Sequence, residues 1–203
     1  SLAALNLPGH GCSIRYQYGL FNQRIVDNQQ VELPDEWLTN GFPWEVKKAD
    51  KAVIVRFGGT AYMRPSITGH LECVHEGYSS VRAIPYDVPI IGYHNNTVNT
   101  LRLWRAEYTH EDMYREMSLS DRLRAFRYKS NVHLLSHFLY PEDNTEEGRQ
   151  LRLAQEYFMV SAGVQSIIRH YKKKISSNIY KLDQYIAIHI NDTHPALVVP
   201  ELM

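Results

Sequence analysis

The first half of the chain is a series of short segments in which apolar and polar positions alternate. Residues 51–57, 70–84 and 96–108 follow this pattern, and glycines at 58 and 77 interrupt it. Alternation with a period of two places every second side chain on one face, which predicts half-buried strands. The glycines predict turns between these strands.

A β-hairpin is predicted upstream of these strands. Two segments, 13–26 and 29–33, flank Asp27-Asn28, and both of these short polar residues tolerate the positive φ that a tight hairpin turn requires. Arg, Gln and Asn are frequent along the hairpin. Polar strands of this kind are typical of sheet edges, so we expect residues 13–33 to lie nearer an edge.

The second half of the chain changes to a helical period. Ser120 can cap a helix that extends to Leu139, before Pro141. Within residues 151–171, apolar side chains recur at steps of three and four, the pattern of an amphipathic helix. The segment between the two helices, 142–148, is polar and predicts a loop.

The last strand is predicted at Tyr185–Ile190, where most residues are apolar, as in the interior strands of a parallel sheet. A polar stretch follows at 191–194, and Pro195 then indicates the first turn of another helix. At the other end, Ser1–Leu7 has the pattern of the last turns of a helix. Because both ends fall within predicted helices, we expect an internal piece of a larger protein.

Together these patterns predict an α/β fold with a mixed sheet, strand-rich over 1–110 and consisting over 111–203 of helices plus one buried strand. In an open α/β sheet, ligands bind beyond the carboxyl ends of the strands. Two loops satisfy that rule, Glu142–Asn144 and Asn191–His194, and each carries a carboxylate beside an amide. Such groups can hold sugar hydroxyls. A solvated turn and a helix cap remain the ordinary alternatives.

Composition excludes some classes of protein. Lys and Arg together number 22, as do Asp and Glu, so no net charge favours nucleic acid or a membrane surface. Cys12 and Cys73 lack the spacing of a metal site or a disulfide framework, which predicts a reducing, cytoplasmic setting. No apolar run approaches the roughly 18 residues of a membrane-spanning helix. The 14 tyrosines and 10 histidines suit polar, stacking ligands such as sugars.

Four long segments of the chain are distinctive. They are GCSIRYQYGLFNQRIVDNQQVELPDEWLTNGFPWE (11–45), PYDVPIIGYHNNTVNTLRLWRAE (85–107), LYPEDNTEEGRQLRLAQEYFMVSAGVQSIIRHY (139–171) and HINDTHPALVVPEL (189–202). In order and at family spacing, these segments resemble the glycogen and maltodextrin phosphorylases. The stretch Arg56–Tyr78 carries few landmarks of that family.

The resemblance implies an enzyme that transfers the terminal α-1,4-glucosyl unit of glycogen or maltodextrin to inorganic phosphate, giving glucose 1-phosphate with retention. It implies two Rossmann-like lobes and pyridoxal phosphate, whose 5′-phosphate takes part in proton transfer. This chain would belong to the amino-terminal lobe, without the carboxyl-terminal lobe that holds the cofactor lysine. We therefore expect the chain alone to bind no cofactor and to be inactive, and the parent enzyme to be a cytoplasmic homodimer.

The resemblance also assigns site residues. The segment Tyr140–Asn144 matches the mobile gate loop beside the family's active site and is called the gate loop below. Asp143 and Asn144 would border the catalytic centre. Five further residues would contact or orient substrate: Tyr140, Glu142, Arg152, Asp192 and His194.

Three of these residues have a more specific implied role. Tyr140 would offer a ring on which an acceptor sugar stacks. Arg152 would pair with Asp143 through a charge-assisted hydrogen bond. Asp192 would orient the imidazole of His194 toward a sugar hydroxyl in the glucan channel.

Two other hypotheses remain open for the sequence. The first is a lobe of a nucleotide-sugar glycosyltransferase, which uses no pyridoxal phosphate. The second is a non-catalytic carbohydrate-binding or regulatory module. A cofactor lysine encoded downstream in the parent gene would favour the phosphorylase, whereas maltooligosaccharide binding by the isolated chain would favour the module.

Overall fold

The computed structural model of the protein describes residues 1–109, 131–190 and 195–202. Within these residues the α-helices are α1, Glu146–Lys174, and α2, Val198–Leu202, with short 3₁₀ helices at Ala3–Leu5, Ala49–Lys51 and Ile179–Gln184. Residues 131–134 are also helical. The strands are β1 His10–Ile14, β2 Asn22–Val26, β3 Gln29–Leu33, β4 Val46–Lys47, β5 Val53–Phe57, β6 Thr60–Pro65, β7 Leu71–Glu76, β8 Ser79–Ile91 and β9 Val98–Tyr108.

A five-stranded mixed sheet forms the centre of the fold. Its strand order is β1-β9-β8-β4, and β5 also pairs with β8. Strand β1 runs parallel to β9, with Ile14 opposite Trp104, whereas β8 is antiparallel to β9, β4 and β5. The mixed sheet and the α/β class predicted from the sequence are confirmed.

Two hairpins lie outside this sheet, and the first is the predicted one. Strands β2 and β3 pair with each other across Asp27 and Asn28, whose φ angles are 50° and 62°. Every residue of the hairpin except Val31 is exposed. It forms a separate two-stranded sheet, as do β6 and β7. The polar pattern thus predicted the exposure of β2 and β3, but they do not extend the central sheet.

Helix α1 covers one face of the central sheet. Trp104 and Ala106 of β9 and Val55 of β5 are fully buried there, and Phe158 and Ala162 of α1 complete the same cluster. Burying a side chain such as Phe stabilises the fold by about 1.5–3 kcal/mol. The amphipathic helix predicted over 151–171 is confirmed, and its apolar face is the one that meets the sheet.

A buried ion pair holds the segment that precedes β4 against the sheet. Arg15, just after β1, donates from Nε and Nη2 to the two carboxylate oxygens of Glu45 at 2.7 Å and 2.5 Å. The two side chains are only 8% and 9% exposed. The guanidinium carbon of Arg15 also lies 4.2 Å from the centre of the Tyr86 ring, a favourable cation–π arrangement.

A second ion pair joins the sheet to α1. Arg102 of β9 donates to both oxygens of Asp87 on β8 at 2.7 Å and 2.8 Å, and its Nη1 donates to Ser166 Oγ of α1 at 2.8 Å. Burial alone raises the pKa of the Asp87 carboxyl, but the hydrogen bond and charge of Arg102 outweigh this effect and leave the pKa below its ordinary value. Asp87 is therefore ionised in the folded protein near neutral pH.

The predicted buried strand at Tyr185–Ile190 is wrong for this chain. Residues 186–190 have no regular secondary structure, and all of them except Ile186 are exposed. An apolar run becomes an interior strand only where neighbouring strands satisfy its backbone groups. Within the described residues no strand pairs with it, and Tyr185 instead lies against Tyr171 with ring centres 6.1 Å apart.

The helices predicted near the two ends are shorter than expected. Ala3–Leu5 is one 3₁₀ turn, which Asn6 ends with a φ of 59°. Helix α2 begins at Val198 rather than at Pro195. Most of the helix predicted from Ser120 lies outside the described residues. None of the described helices is both long and apolar enough to cross a membrane.

Candidate functional site

The gate loop is fixed between the turn at 135–137 and helix α1. Tyr140 starts the loop with a positive φ of 54°, and Thr145 ends it by accepting a hydrogen bond from Gly148 N at 3.1 Å as the N-cap of α1. A Cβ at Gly148 would lie 1.6 Å from the backbone oxygen of Glu142. Only glycine therefore permits this close approach of the loop to the helix.

Asp143 is the gate-loop residue that α1 holds most closely. Arg152 Nη1 donates to Oδ2 of Asp143, and Arg149 Nη1 donates to the backbone oxygen of Asp143 at 3.2 Å. The contact between Arg152 and Asp143 that the family resemblance implied is confirmed. The Asp143 side chain is nevertheless 56% exposed, so its carboxylate is oriented by the helix and remains open to a ligand.

Tyr140 begins the gate loop, and Tyr16, two residues beyond the end of β1, lies within its electrostatic influence. Tyr140 is 56% exposed. Burial, with a smaller contribution from Tyr140, raises the pKa of Tyr16 to about 12. Like any tyrosine near neutral pH, Tyr16 keeps its proton and can act as a hydrogen-bond donor, and the raised pKa extends this to alkaline pH.

The structure brings together five of the seven predicted site residues. Glu142 and Asn144 are exposed on either side of Asp143. The loop thus presents two carboxylates and an amide, a set of groups suited to sugar hydroxyls. Asp192 and His194 lie outside the described residues, so their place relative to the gate loop remains a prediction.

A cleft at the carboxyl end of the parallel strands was not predicted from the sequence. It has a volume of about 190 Å³ and is called the polar cleft; its lining residues are Gln17, Tyr18, Arg105, His133, Ser136 and His137. A neighbouring cleft of about 200 Å³ shares Gln17 and Tyr18. The position beyond the end of β1 is the usual one for ligands of open α/β sheets. This general rule could be applied to the sequence, but the sequence did not reveal that β1 pairs with β9, so the position of the cleft could not be predicted.

The two clefts described above offer no amine for a Schiff base with pyridoxal phosphate. Neither cleft is lined by a lysine. The lysines of the described ranges are exposed or half-buried at the surface; they are 47, 48, 51, 172–174 and 181. Within the same ranges, no group of three or more His, Cys, Asp or Glu residues could hold a metal ion.

Comparison with known proteins identifies the family of this chain. Residues 1–203 match the family model described as Carbohydrate phosphorylase. The chain belongs to the carbohydrate phosphorylase family. The resemblance drawn from the four sequence segments is thereby confirmed.

Individual relatives support the same assignment. Over its whole length the chain is 52% identical to a glycogen phosphorylase of Bacillus subtilis and 44% identical to one of Haemophilus influenzae. It is 41% identical to the liver form of glycogen phosphorylase from Ovis aries. The chain spans 24% of the length of each of these relatives.

Proposed function

We propose that the protein to which this chain belongs is a glucan phosphorylase. It transfers the terminal α-1,4-glucosyl unit of glycogen or maltodextrin to inorganic phosphate and yields glucose 1-phosphate with retention of configuration. The observation that carries this proposal is the oriented but exposed Asp143 carboxylate, which Arg152 holds on the gate loop. The glycogen phosphorylases among its relatives support the same reaction.

The gate loop would position the glucan. Asp143 and Asn144 border the catalytic centre and supply fixed acceptors and a donor for glucosyl hydroxyls. Tyr140 offers its exposed ring to an acceptor sugar, and aromatic rings of this kind combine an apolar surface with a polar tip. Glu142 adds a carboxylate at the rim of the loop, and Arg152 holds the Asp143 carboxylate in position.

Asp192 and His194 would line the glucan channel. We propose that the Asp192 carboxylate accepts a hydrogen bond from one ring nitrogen of His194, which sets the tautomer and directs the other nitrogen toward a sugar hydroxyl.

The rest of the protein would provide the other half of the site. We place this chain in a Rossmann-like amino-terminal lobe and the lysine that holds pyridoxal phosphate in a carboxyl-terminal lobe. When bound, pyridoxal phosphate supplies a phosphate group that exchanges protons with the substrate phosphate. The isolated chain is then expected to be inactive, and the whole protein to be a cytoplasmic homodimer.

The proposal is tested in the full-length protein with Asp143→Asn. The variant keeps the shape of the side chain but removes the charge that Arg152 orients, and we expect kcat for glucose 1-phosphate formation to fall about 10²-fold, as for other misplaced site groups. Asp183→Asn is the matched control, because Asp183 is an exposed aspartate on a 3₁₀ helix away from the gate loop. Parental kinetics in Asp143→Asn would remove this residue from the site.

A further inference from the structure

The polar cleft has a lining rich in hydrogen-bond donors and positive charge. Arg105 contributes a guanidinium, and His133 and His137 contribute two imidazoles. Among the described residues, the rest of the lining consists of Gln17, Tyr18 and Ser136, and none of these six residues carries a carboxylate. Glu36 belongs to the neighbouring cleft, beyond Tyr18. This bias in charge favours an anion over a neutral sugar.

Arg105 differs from the two buried arginines, Arg15 and Arg102. Arg15 and Arg102 each donate two hydrogen bonds to a carboxylate. Arg105 is half-buried on β9, and none of the hydrogen bonds or ion pairs within the described residues neutralises it. A guanidinium presents planar pairs of donors that match the oxygens of a phosphate.

His137 is a second polar group whose requirements the described residues do not meet. Its Nδ1 atom is buried and has no hydrogen-bond partner among them. The ring itself is held in place by Tyr18, edge-on with centres 5.0 Å apart. Buried polar atoms without a partner are rare, and an unseen ion or water is a common explanation.

Ser136 also has donor capacity directed at this region. Its Oγ accepts a hydrogen bond from Ala106 N at 3.3 Å, which leaves the hydroxyl hydrogen for another acceptor. Backbone hydrogen bonds from Gln17 N to Ser136 O and from Tyr18 N to His137 O, 2.8 Å and 3.2 Å long, join the two sides of the cleft. These two backbone hydrogen bonds therefore hold the donors on the two sides of the cleft in fixed positions relative to each other.

We propose that the polar cleft binds a tetrahedral oxyanion of the phosphate type, at a site separate from the gate loop. Arg105 would bind two of the oxygens, and His137, His133 and Ser136 would donate to the others. The volume of about 190 Å³ is below the roughly 300–1,000 Å³ of pockets for larger ligands. It suits inorganic phosphate or the phosphoryl group of a sugar phosphate. This proposal does not depend on the reaction proposed above.

Equilibrium dialysis of the full-length protein with radiolabelled inorganic phosphate tests the site. We compare the parental protein with Arg105→Gln, His137→Gln and the control Arg24→Gln, whose exposed arginine lies on β2. Loss of one charge-assisted interaction corresponds to roughly 10- to 100-fold weaker binding. We therefore expect Arg105→Gln to require roughly 10- to 100-fold more phosphate than the parental protein to fill this site, while Arg24→Gln binds as the parent does.

Phosphate bound at the catalytic site contributes equally to the parental protein and to all the variants. A difference in binding between them therefore reports on the polar cleft alone. A thermal melt identifies a variant that does not fold; His137→Gln or Arg105→Lys then takes its place, with Arg105→Lys expected to bind more weakly than the parent. Repeating the dialysis with a hexose monophosphate as competitor shows whether free phosphate or a phosphorylated sugar binds more tightly. Equal phosphate binding by the parent and by every folded variant would overturn the proposal.

Discussion

Arg152 on α1 donates a hydrogen bond to the carboxylate of Asp143, nine residues earlier on the gate loop. Both side chains are substantially exposed, by 36% and 56%. An exposed pair of this kind contributes only about 0–1 kcal/mol to stability. We therefore interpret the contact as one that orients a site carboxylate rather than one that stabilises the fold.

This interpretation predicts a separation of activity from stability in Arg152→Gln. The free energy of unfolding should change by less than about 1 kcal/mol, while turnover of glucan by the full-length protein should fall because Asp143 loses its partner. Arg64→Gln is the control, since Arg64 forms a comparably exposed pair with Glu72 on the β6–β7 hairpin. If the two variants have the same turnover, the orienting role of Arg152 is contradicted.

Two glycines of α1 should respond to alanine in opposite ways. A Cβ at Gly163 would meet Cys12 at 3.7–3.8 Å, an ordinary contact, whereas a Cβ at Gly148 would collide with Glu142 O at 1.6 Å. Gly163→Ala should stabilise the protein by about 0.5–1 kcal/mol through helix propensity. Gly148→Ala should displace the gate loop and reduce turnover. Urea unfolding and kinetics of both variants check this, and a neutral Gly148→Ala would show that the loop is not packed on the helix as described.

The Arg15–Glu45 pair should matter far more for stability than the exposed pairs. Both side chains are at most 9% exposed, and removing one partner of a buried pair costs about 3–5 kcal/mol because the other charge is left unpaired. Glu45→Gln should therefore unfold at clearly lower denaturant concentration than the parent. The exposed-pair variant Arg64→Gln gives the reference, and equal midpoints for the two variants would contradict this account.

Lowering the pH should remove the contribution that Asp87 makes to the free energy of unfolding. Its folded pKa lies below the ordinary value, because Arg102 outweighs the effect of burial. The stabilisation is fully present above the unfolded pKa of about 3.9 and is lost as the pH falls through the folded pKa. Asp87→Asn should be less stable than the parent at pH 6, and the difference should shrink below pH 4. A pH-independent difference, measured by urea unfolding, would show that ionisation of Asp87 is not the cause.

Local patterns in the sequence predicted local structure well. The hairpin turn at Asp27-Asn28 and the amphipathic helix over 151–171 each depend on neighbours a few residues apart, and both are observed. The prediction of a buried strand at Tyr185–Ile190 was wrong. A buried strand requires partner strands from distant parts of the chain, and the apolar pattern of this segment does not specify them.

The two candidate sites were predictable to different degrees. The gate loop is contiguous in sequence, so family motifs located its residues, and its contact with Arg152 spans only the first turns of α1. The polar cleft combines positions near 17, 105 and 137. No periodicity joins such distant positions, and only the parallel pairing of β1 with β9 and the backbone bonds to residues 136 and 137 bring them together.

The most direct test of the proposed function is product analysis with the full-length protein, loaded with pyridoxal phosphate and given maltooligosaccharide and inorganic phosphate. We expect α-glucose 1-phosphate to form in proportion to phosphate, with the oligosaccharide shortened by one glucosyl unit per product molecule. Asp143→Asn should form it about 10²-fold more slowly. Free glucose as the only product, or no phosphate-dependent shortening by the loaded protein, would contradict the assignment of this chain to a glucan phosphorylase.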